Sequence, residues 1–263
     1  MSEHAQRVRV AAAQVHISAD MDANVRTITA AMAHCARQGV EVVVFPETAV
    51  TGYSPAIGRG RDVSEWPIIA GHLEVIAALA GELGLWTIVG CEAWADPGWT
   101  NRLYAYSDRG ECVATYDKVH LMAGDRRYYQ PGHGVALFEI KGVRVGLQIC
   151  YDVRFPEGYR ALLRQGVQVI LQGFHGAGGD TWKVPVLGAH LRSRAAESGC
   201  FVVAANVAGP LQIVVSQIVD PLGLLLAAAN QDREEIITAE VDLARIAESE
   251  IRHDYLQWFA AGG

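Results

Sequence analysis

The run Gly142-Val-Arg-Val-Gly-Leu-Gln-Ile-Cys150-Tyr-Asp-Val-Arg-Phe-Pro-Glu157 constrains the fold more than any other segment. A β-branched, apolar stretch stops at a thiol. A polar turn and a proline follow, and a helix-like stretch begins. Such a strand delivers Cys150 to the rim of a sheet, just ahead of a helix N-terminus whose N–H groups favour negative charge. A nucleophile occupies this position in many α/β enzymes. An unpaired cysteine on its own is more often a small buried apolar residue, so the rest of the chain has to decide between the two.

The pattern along the chain alternates strands and helices. Apolar strands are expected over 8–15, 40–45, 85–91, 167–171, 201–206, 213–219, 222–228 and 236–241. Helices are expected over 20–38, 64–83, 157–165, 180–198 and 242–251, with Pro185 kinking or delaying the fourth. Hairpins are expected across 102–116, turning at Ser107-Asp108-Arg109-Gly110, and across 135–149, turning at Lys141-Gly142. Fully apolar strands among helices mean sheets covered on both faces. A weak two-half symmetry is compatible with this order.

Composition narrows the class. A chain of 263 residues with 51% hydrophobic side chains suits one domain over 1–263. A net charge of −7 and the lack of any basic run argue against nucleic-acid or anionic-membrane partners. Five cysteines (Cys35, Cys91, Cys112, Cys150 and Cys200), with no C-x-x-C, argue against a disulfide framework or a zinc site and favour a reducing cytoplasm. The polar start, Met-Ser-Glu-His-Ala-Gln-Arg, lacks the apolar core of a signal peptide. No apolar stretch reads as long and uniform enough to cross a bilayer.

Two further segments carry chemistry. Glu47 closes the strand Val42-Val-Val-Phe-Pro-Glu47, where partial desolvation tunes a carboxyl for proton transfer. Lys118, in Tyr116-Asp-Lys118-Val-His-Leu121, ends a hairpin strand, and its three N–H donors suit an oxyanion if it points inward. Together with Cys150 these segments resemble the nitrilase, or carbon–nitrogen hydrolase, superfamily. The resemblance runs nearly end to end, through Ala13-Gln14, Gln130-Pro131-Gly132, Arg192-Ser-Arg194-Ala-Ala-Glu-Ser-Gly, Ala204-Ala-Asn206 and Asp220-Pro221-Leu-Gly223.

The resemblance implies a four-layer α-β-β-α sandwich, with two mixed sheets between outer helices and a Glu47–Lys118–Cys150 triad at strand ends. It implies a cysteine hydrolase that cleaves a linear amide or N-carbamoyl compound through a thioester, with Lys118 and the Tyr151 backbone N–H holding the oxyanion. Neither metal nor organic cofactor is required. Pairing into a homodimer or larger even oligomer through an outer helix face is also implied. A nitrilase, or a thiol sensor on the same scaffold, is the alternative. Relatives often carry a glutamate where this chain has Asp125, which keeps the charge with one methylene less reach. The loop Gln172-Gly-Phe-His175-Gly-Ala-Gly-Gly179 also departs from the family pattern and points to an unusual substrate. Tyr53, His175 and Trp182 are candidate pocket residues, and Arg126, Arg127, Arg192 and Arg194 are weaker candidates for a substrate carboxylate. Arg154 and Glu157 read as structural ion-pairing groups that hold the turn after Cys150.

Overall fold

The computed structural model describes residues 7–262, so most of the polar amino terminus lies outside the described residues. The strands form two six-stranded sheets. The first contains β1 (Arg7–Gln14), β2 (Val42–Val44), β3 (Trp86–Ala95), β4 (Gly98–Tyr106), β5 (Cys112–Asp117) and β12 (Glu235–Asp242), in the order β12-β1-β2-β3-β4-β5. The second contains β6 (Leu137–Ile140), β7 (Val143–Ile149), β8 (Val169–Gly173), β9 (Phe201–Ala205), β10 (Gln217–Val219) and β11 (Leu225–Ala228), in the order β11-β10-β9-β8-β7-β6. Each sheet has three parallel central strands, β1-β2-β3 and β7-β8-β9, flanked by antiparallel neighbours. The two-half symmetry is therefore visible in the topology.

Alternation along each strand feeds two different cores, which is why these strands read as apolar on both faces. Val8, Val10 and Ala12 of β1 meet Val145, Leu147, Val169 and Leu171 between the sheets. Ala11 and Ala13 turn to the opposite face, where α1 (Met21–Arg37) and α3 (Trp66–Leu83), separated by the single-turn helix α2 (Ser54–Ile57), supply Ile28, Met32, Ile69 and Ile76. Behind the second sheet, α4 (Pro156–Arg164) and α5 (Lys183–Ser198) pack Tyr159, Leu162, Leu187 and Leu191 onto Ile170 and Val202. The result is the expected α-β-β-α sandwich. Burying each large aliphatic side chain contributes about 1.5–3 kcal/mol.

Several boundaries differ from the sequence reading for identifiable reasons. Asp20 caps α1 rather than joining it, accepting the Ala23 N–H at 3.0 Å. Pro185 falls in the first turn of α5, where its missing N–H costs nothing, and the helix starts at Lys183. Only Gln217–Val219 of the segment 213–219 is a strand, because Ile213 donates to the Gly176 carbonyl and leaves the sheet. The turn expected as a helix over 242–251 is a 3-10 turn, Leu243–Glu248. Ser249 then caps a new helix, α6 (Glu250–Ala260), that the pattern did not reveal. Residues 63–83 contain an 18-residue window of mean hydropathy 1.3 and are, by length and composition, apolar enough to cross a membrane, contrary to expectation. Here the helical part of that stretch lies against the first sheet through Ile69, Leu73, Ile76 and Ala80.

Close backbone packing fixes the strand ends that matter for function. A Cβ on Gly90 of β3 would stand 2.3 Å from the Pro46 carbonyl oxygen and 2.4 Å from the Thr48 nitrogen, either side of Glu47. We expect Gly90→Ala to lower the unfolding free energy by about 3 kcal/mol, as overpacking against rigid backbone does. Urea unfolding midpoints measure this, and an unchanged midpoint would show that the Glu47 turn yields.

Candidate active site

Three strand ends converge. β2 leads through Phe45-Pro46 to Glu47, β5 ends next to Lys118, and β7 ends at Cys150, so the first sheet supplies two groups and the second the third. Glu47 and Lys118 are completely enclosed. Lys118 Nζ donates to Glu47 Oε1 at 2.7 Å and to Asp125 Oδ2 at 2.8 Å, and Asp125 is equally enclosed. Two of the ammonium's three donors are used in this way, which leaves one for a ligand. Glu47 also accepts the Asn101 side-chain N–H on Oε1 at 2.6 Å and the His175 backbone N–H on Oε2 at 2.7 Å.

The thiol of Cys150 faces this cluster. Burial pushes its pKa up, and the hydrogen-bonded Glu47 adds to that, while Lys118 pulls it down. Burial works against the charge of Lys118, but Glu47, Cys150 and Asp125 outweigh it and hold the ammonium above the ordinary lysine range. The thiol and the cation are thus electrostatically linked, and each favours the charged form of the other. Cys150 has φ +41 and Thr48, next to Glu47, has φ +50. Non-glycine residues rarely adopt such angles, and a β-branched threonine least of all, so Glu47 and Cys150 both sit on strained turns.

Asp152 ties the lysine and cysteine segments together. It accepts the Tyr116 hydroxyl at 3.0 Å, the His120 N–H at 2.8 Å and the Ile149 N–H at 3.2 Å. Arg194 donates to the Val153 carbonyl at 2.9 Å and to the Arg154 carbonyl at 3.3 Å, fixing the 3-10 turn that follows the thiol. Tyr151 is in the first turn of that helix, where N–H groups have no intrahelical acceptor.

A cavity of about 110 Å³ opens over Cys150, walled by Tyr53, Met122, Tyr151, His175, Leu187 and Ile213, with Arg154 and Lys183 also on its lining. This is well under the roughly 300–1,000 Å³ of sites for drug-sized ligands. The Tyr53 hydroxyl donates to Asp125 Oδ1, and its ring lies 4.7 Å from that of His175. Burial, reinforced by the Lys118 charge, lowers the His175 imidazole to about 4, and its Nδ1 is enclosed without a hydrogen-bond partner.

Three sequence readings change. Trp182 is 59% exposed and stays outside the cavity wall, where its ring carries Arg154 and Lys183, each 5.6 Å from its centroid. Arg154 lines the cavity with its Nε enclosed and unpartnered, and no ion pair to Glu157 occurs among the described residues. Arg192 and Arg194 serve structure, the former on the Gly223 carbonyl at 2.9 Å, and Arg126 and Arg127 border a different depression. Asn101 was missed in the sequence, although its spacing from Leu103 and Ala105 puts it on the same inward strand face.

Comparison with known proteins bears on the family and the fold. The Carbon-nitrogen hydrolase family model matches residues 9–250. The 2-oxoglutaramate amidase of Bacillus subtilis is 31% identical over 225 residues, 79% of this chain and 80% of that protein. A deaminated glutathione amidase of Escherichia coli O157:H7 is 28% identical over 253 residues, 90% of this chain and 91% of that protein. A solved amidase of Nesterenkonia sp. AN1 in complex with acrylamide has the same fold, with TM-score 0.80 at 22% identity over 98% of this chain and 99% of that one. With the family model spanning nearly all of its length, this chain belongs to the carbon–nitrogen hydrolase family.

Proposed function

We propose that the chain is an amidase that hydrolyses a small linear amide, with an acyl chain ending in an acidic group, to the acid and ammonia. The observation that carries this reading is the enclosed Lys118, bonded at 2.7 Å to Glu47 with the Cys150 thiol facing both. Cys150 Sγ attacks the amide carbonyl carbon as Glu47 takes the thiol proton. The carbonyl oxygen gains the electron pair and is held by the remaining Lys118 donor and the Tyr151 N–H; one such donor contributes about 3 kcal/mol. Glu47 passes its proton to the amide nitrogen, the C–N bond breaks, and ammonia leaves a thioester. Glu47 then takes a proton from water as its oxygen attacks the thioester, and returns that proton to the departing thiolate. Asp125 holds the ammonium.

The acidic end of the substrate is argued from charge. Arg154 and Lys183 are the cations on the cavity lining, and the enclosed Arg154 Nε lacks a partner. A carboxylate in the cavity complements the positive charge of these side chains. The name 2-oxoglutaramate, carried by one relative, denotes an amide that bears a carboxylate. The exposed Ile251, Leu256 and Trp258 of α6 support pairing of two chains through that outer helix. The cysteines Cys35, Cys91, Cys112, Cys150 and Cys200 are all unpaired, as suits a reducing compartment.

Ammonia release from a panel tests the reading: monoamides of dicarboxylic acids, uncharged amides of equal length, N-carbamoyl amino acids and nitriles. We expect kcat/KM for the acidic amides to exceed that for their uncharged counterparts by about tenfold or more, in line with one charge-assisted hydrogen bond, and Arg154→Gln to abolish the difference. Cys150→Ala and Glu47→Gln should fold and release no ammonia; turnover by Cys150→Ala would refute the assignment. Light scattering should give a mass of at least twice 28.4 kDa.

His175 generates a separate expectation about stability. Its folded pKa of about 4 lies below the ordinary imidazole value of 6.5, so the unfolded chain binds the proton first as the pH falls. Stability from this group is present above about pH 6.5 and is lost progressively toward pH 4. The decline in urea midpoint across that window should be shallower in His175→Asn than in the parent, and equal slopes would show that the imidazole protonates freely in the native state.

A further inference from the structure

Behind the cavity lies a second set of buried ionic groups that the reaction steps leave unused. Glu92, on β3, is fully enclosed. It accepts the Ser54 backbone N–H at 2.8 Å, the Tyr129 hydroxyl, and Arg61 Nε at 2.8 Å. Arg61, with only 4% of its side chain exposed, also pairs with Glu65 at 3.0 Å and donates to the Thr51 carbonyl. The Glu92 N–H donates to Thr51 Oγ1 at 3.1 Å. A buried ion pair is a poor source of net stability, since apolar residues of similar volume often do as well or better. Its effect here is to hold one short segment.

That segment is 51–54. Thr51 is gripped on one side and Ser54 on the other, and Tyr53 lies between them. Gly52, with φ +75, packs so closely that a Cβ would stand 2.5 Å from the Ser18 carbonyl oxygen, so the path has no slack. From the clamped segment the Tyr53 hydroxyl reaches Asp125 Oδ1, while Asp125 Oδ2 receives Lys118 Nζ at 2.8 Å and the Met122 N–H at 3.0 Å. An aspartate has less reach than the glutamate common in relatives, so its place depends more on the tyrosine. We infer that Glu92, anchored by Arg61, is a positioning residue that sets where the Lys118 ammonium stands relative to Cys150, acting through Tyr53 and Asp125.

This inference rests on the amidase reading for its catalytic meaning, but its test does not. Alkylation of Cys150 by iodoacetamide, followed against pH by mass spectrometry of the Cys150 peptide, reports thiolate formation without any substrate. The charged or titratable groups acting on that sulfur are Glu47, Lys118 and Asp125, with the Tyr53 hydroxyl beside them. Because Lys118 favours the thiolate, its displacement slows alkylation at neutral pH and moves the profile to higher pH.

We expect Glu92→Gln to slow alkylation about fivefold or more at pH 7.5, with kcat for the best amide falling in parallel and KM nearly constant. Tyr129→Phe, which changes no charge, should act in the same direction more weakly, and it decides the matter if Glu92→Gln does not fold. Tyr53→Phe should also slow alkylation, and Tyr53→Phe/Glu92→Gln should be no slower than Tyr53→Phe alone. An unchanged alkylation profile in a folded Glu92→Gln, or factors that multiply in the double variant, would overturn the inference. If no amide, nitrile or carbamoyl compound is hydrolysed by the parent protein, the amidase reading fails while the alkylation comparison still decides this one.

Discussion

The site is organised by one enclosed ammonium. Lys118 sits between two enclosed carboxyl groups, Glu47 and Asp125, at 2.7 and 2.8 Å. Removing such groups from water costs several kcal/mol each unless hydrogen bonds replace the lost hydration. The fold supplies those bonds from many directions: Asn101 and the His175 backbone to Glu47, and Tyr53 and the Met122 backbone to Asp125. Taking away any one donor leaves a charge short of partners in a place water does not reach. The polar interior is therefore as specific as the apolar one, and it joins parts of the chain that local structure leaves separate.

Much of this arrangement is legible in the amino-acid pattern. Apolar, β-branched runs that end at Glu47, Lys118 and Cys150 mark strand ends, and strand ends are where a sheet presents rigid side chains. The alternation of strands and helices carries the layered architecture. Asn101 and Glu92 were hidden by the same logic: each is a polar residue inside a strand, and each looks like an interruption of it. The strand 85–91 was ended one residue before Glu92, whereas β3 continues to Ala95. Their partners lie 54 and 38 residues away, at Glu47 and Ser54, so no local signal marks them. Arg154 reads from its place in the turn as an ion-pairing group, whereas it lies on the cavity lining with its guanidinium over the Trp182 ring. Helix α6 escaped notice because Ser249 restarts the chain just after a turn that already looked like a complete short helix.

Strain marks the places where the backbone bends for function. The positive φ at Thr48 and at Cys150 lies in the two turns that carry Glu47 and Cys150, the proposed general base and nucleophile. A residue in that region costs about 1–3 kcal/mol and persists only where its surroundings dictate it. At Cys150 the dictating contacts are Asp152, bonded to both the lysine and cysteine segments, and Arg194, bonded to the carbonyls of the following turn. At Thr48 they are the tight approach of Gly90 and the Glu47 N–H bonded to the Phe174 carbonyl at 3.2 Å.

That last bond crosses from one sheet to the other, and the division of labour it spans has a consequence. Glu47 and Lys118 ride on the sheet that holds β2 and β5, while the sulfur rides on the sheet that holds β7. Neither layer holds all three groups by itself. Under the proposed chemistry, a nascent or partly opened chain has a thiol without its proton acceptor, and the set is complete only when the two halves close on each other. Turnover by that route would report interlayer docking.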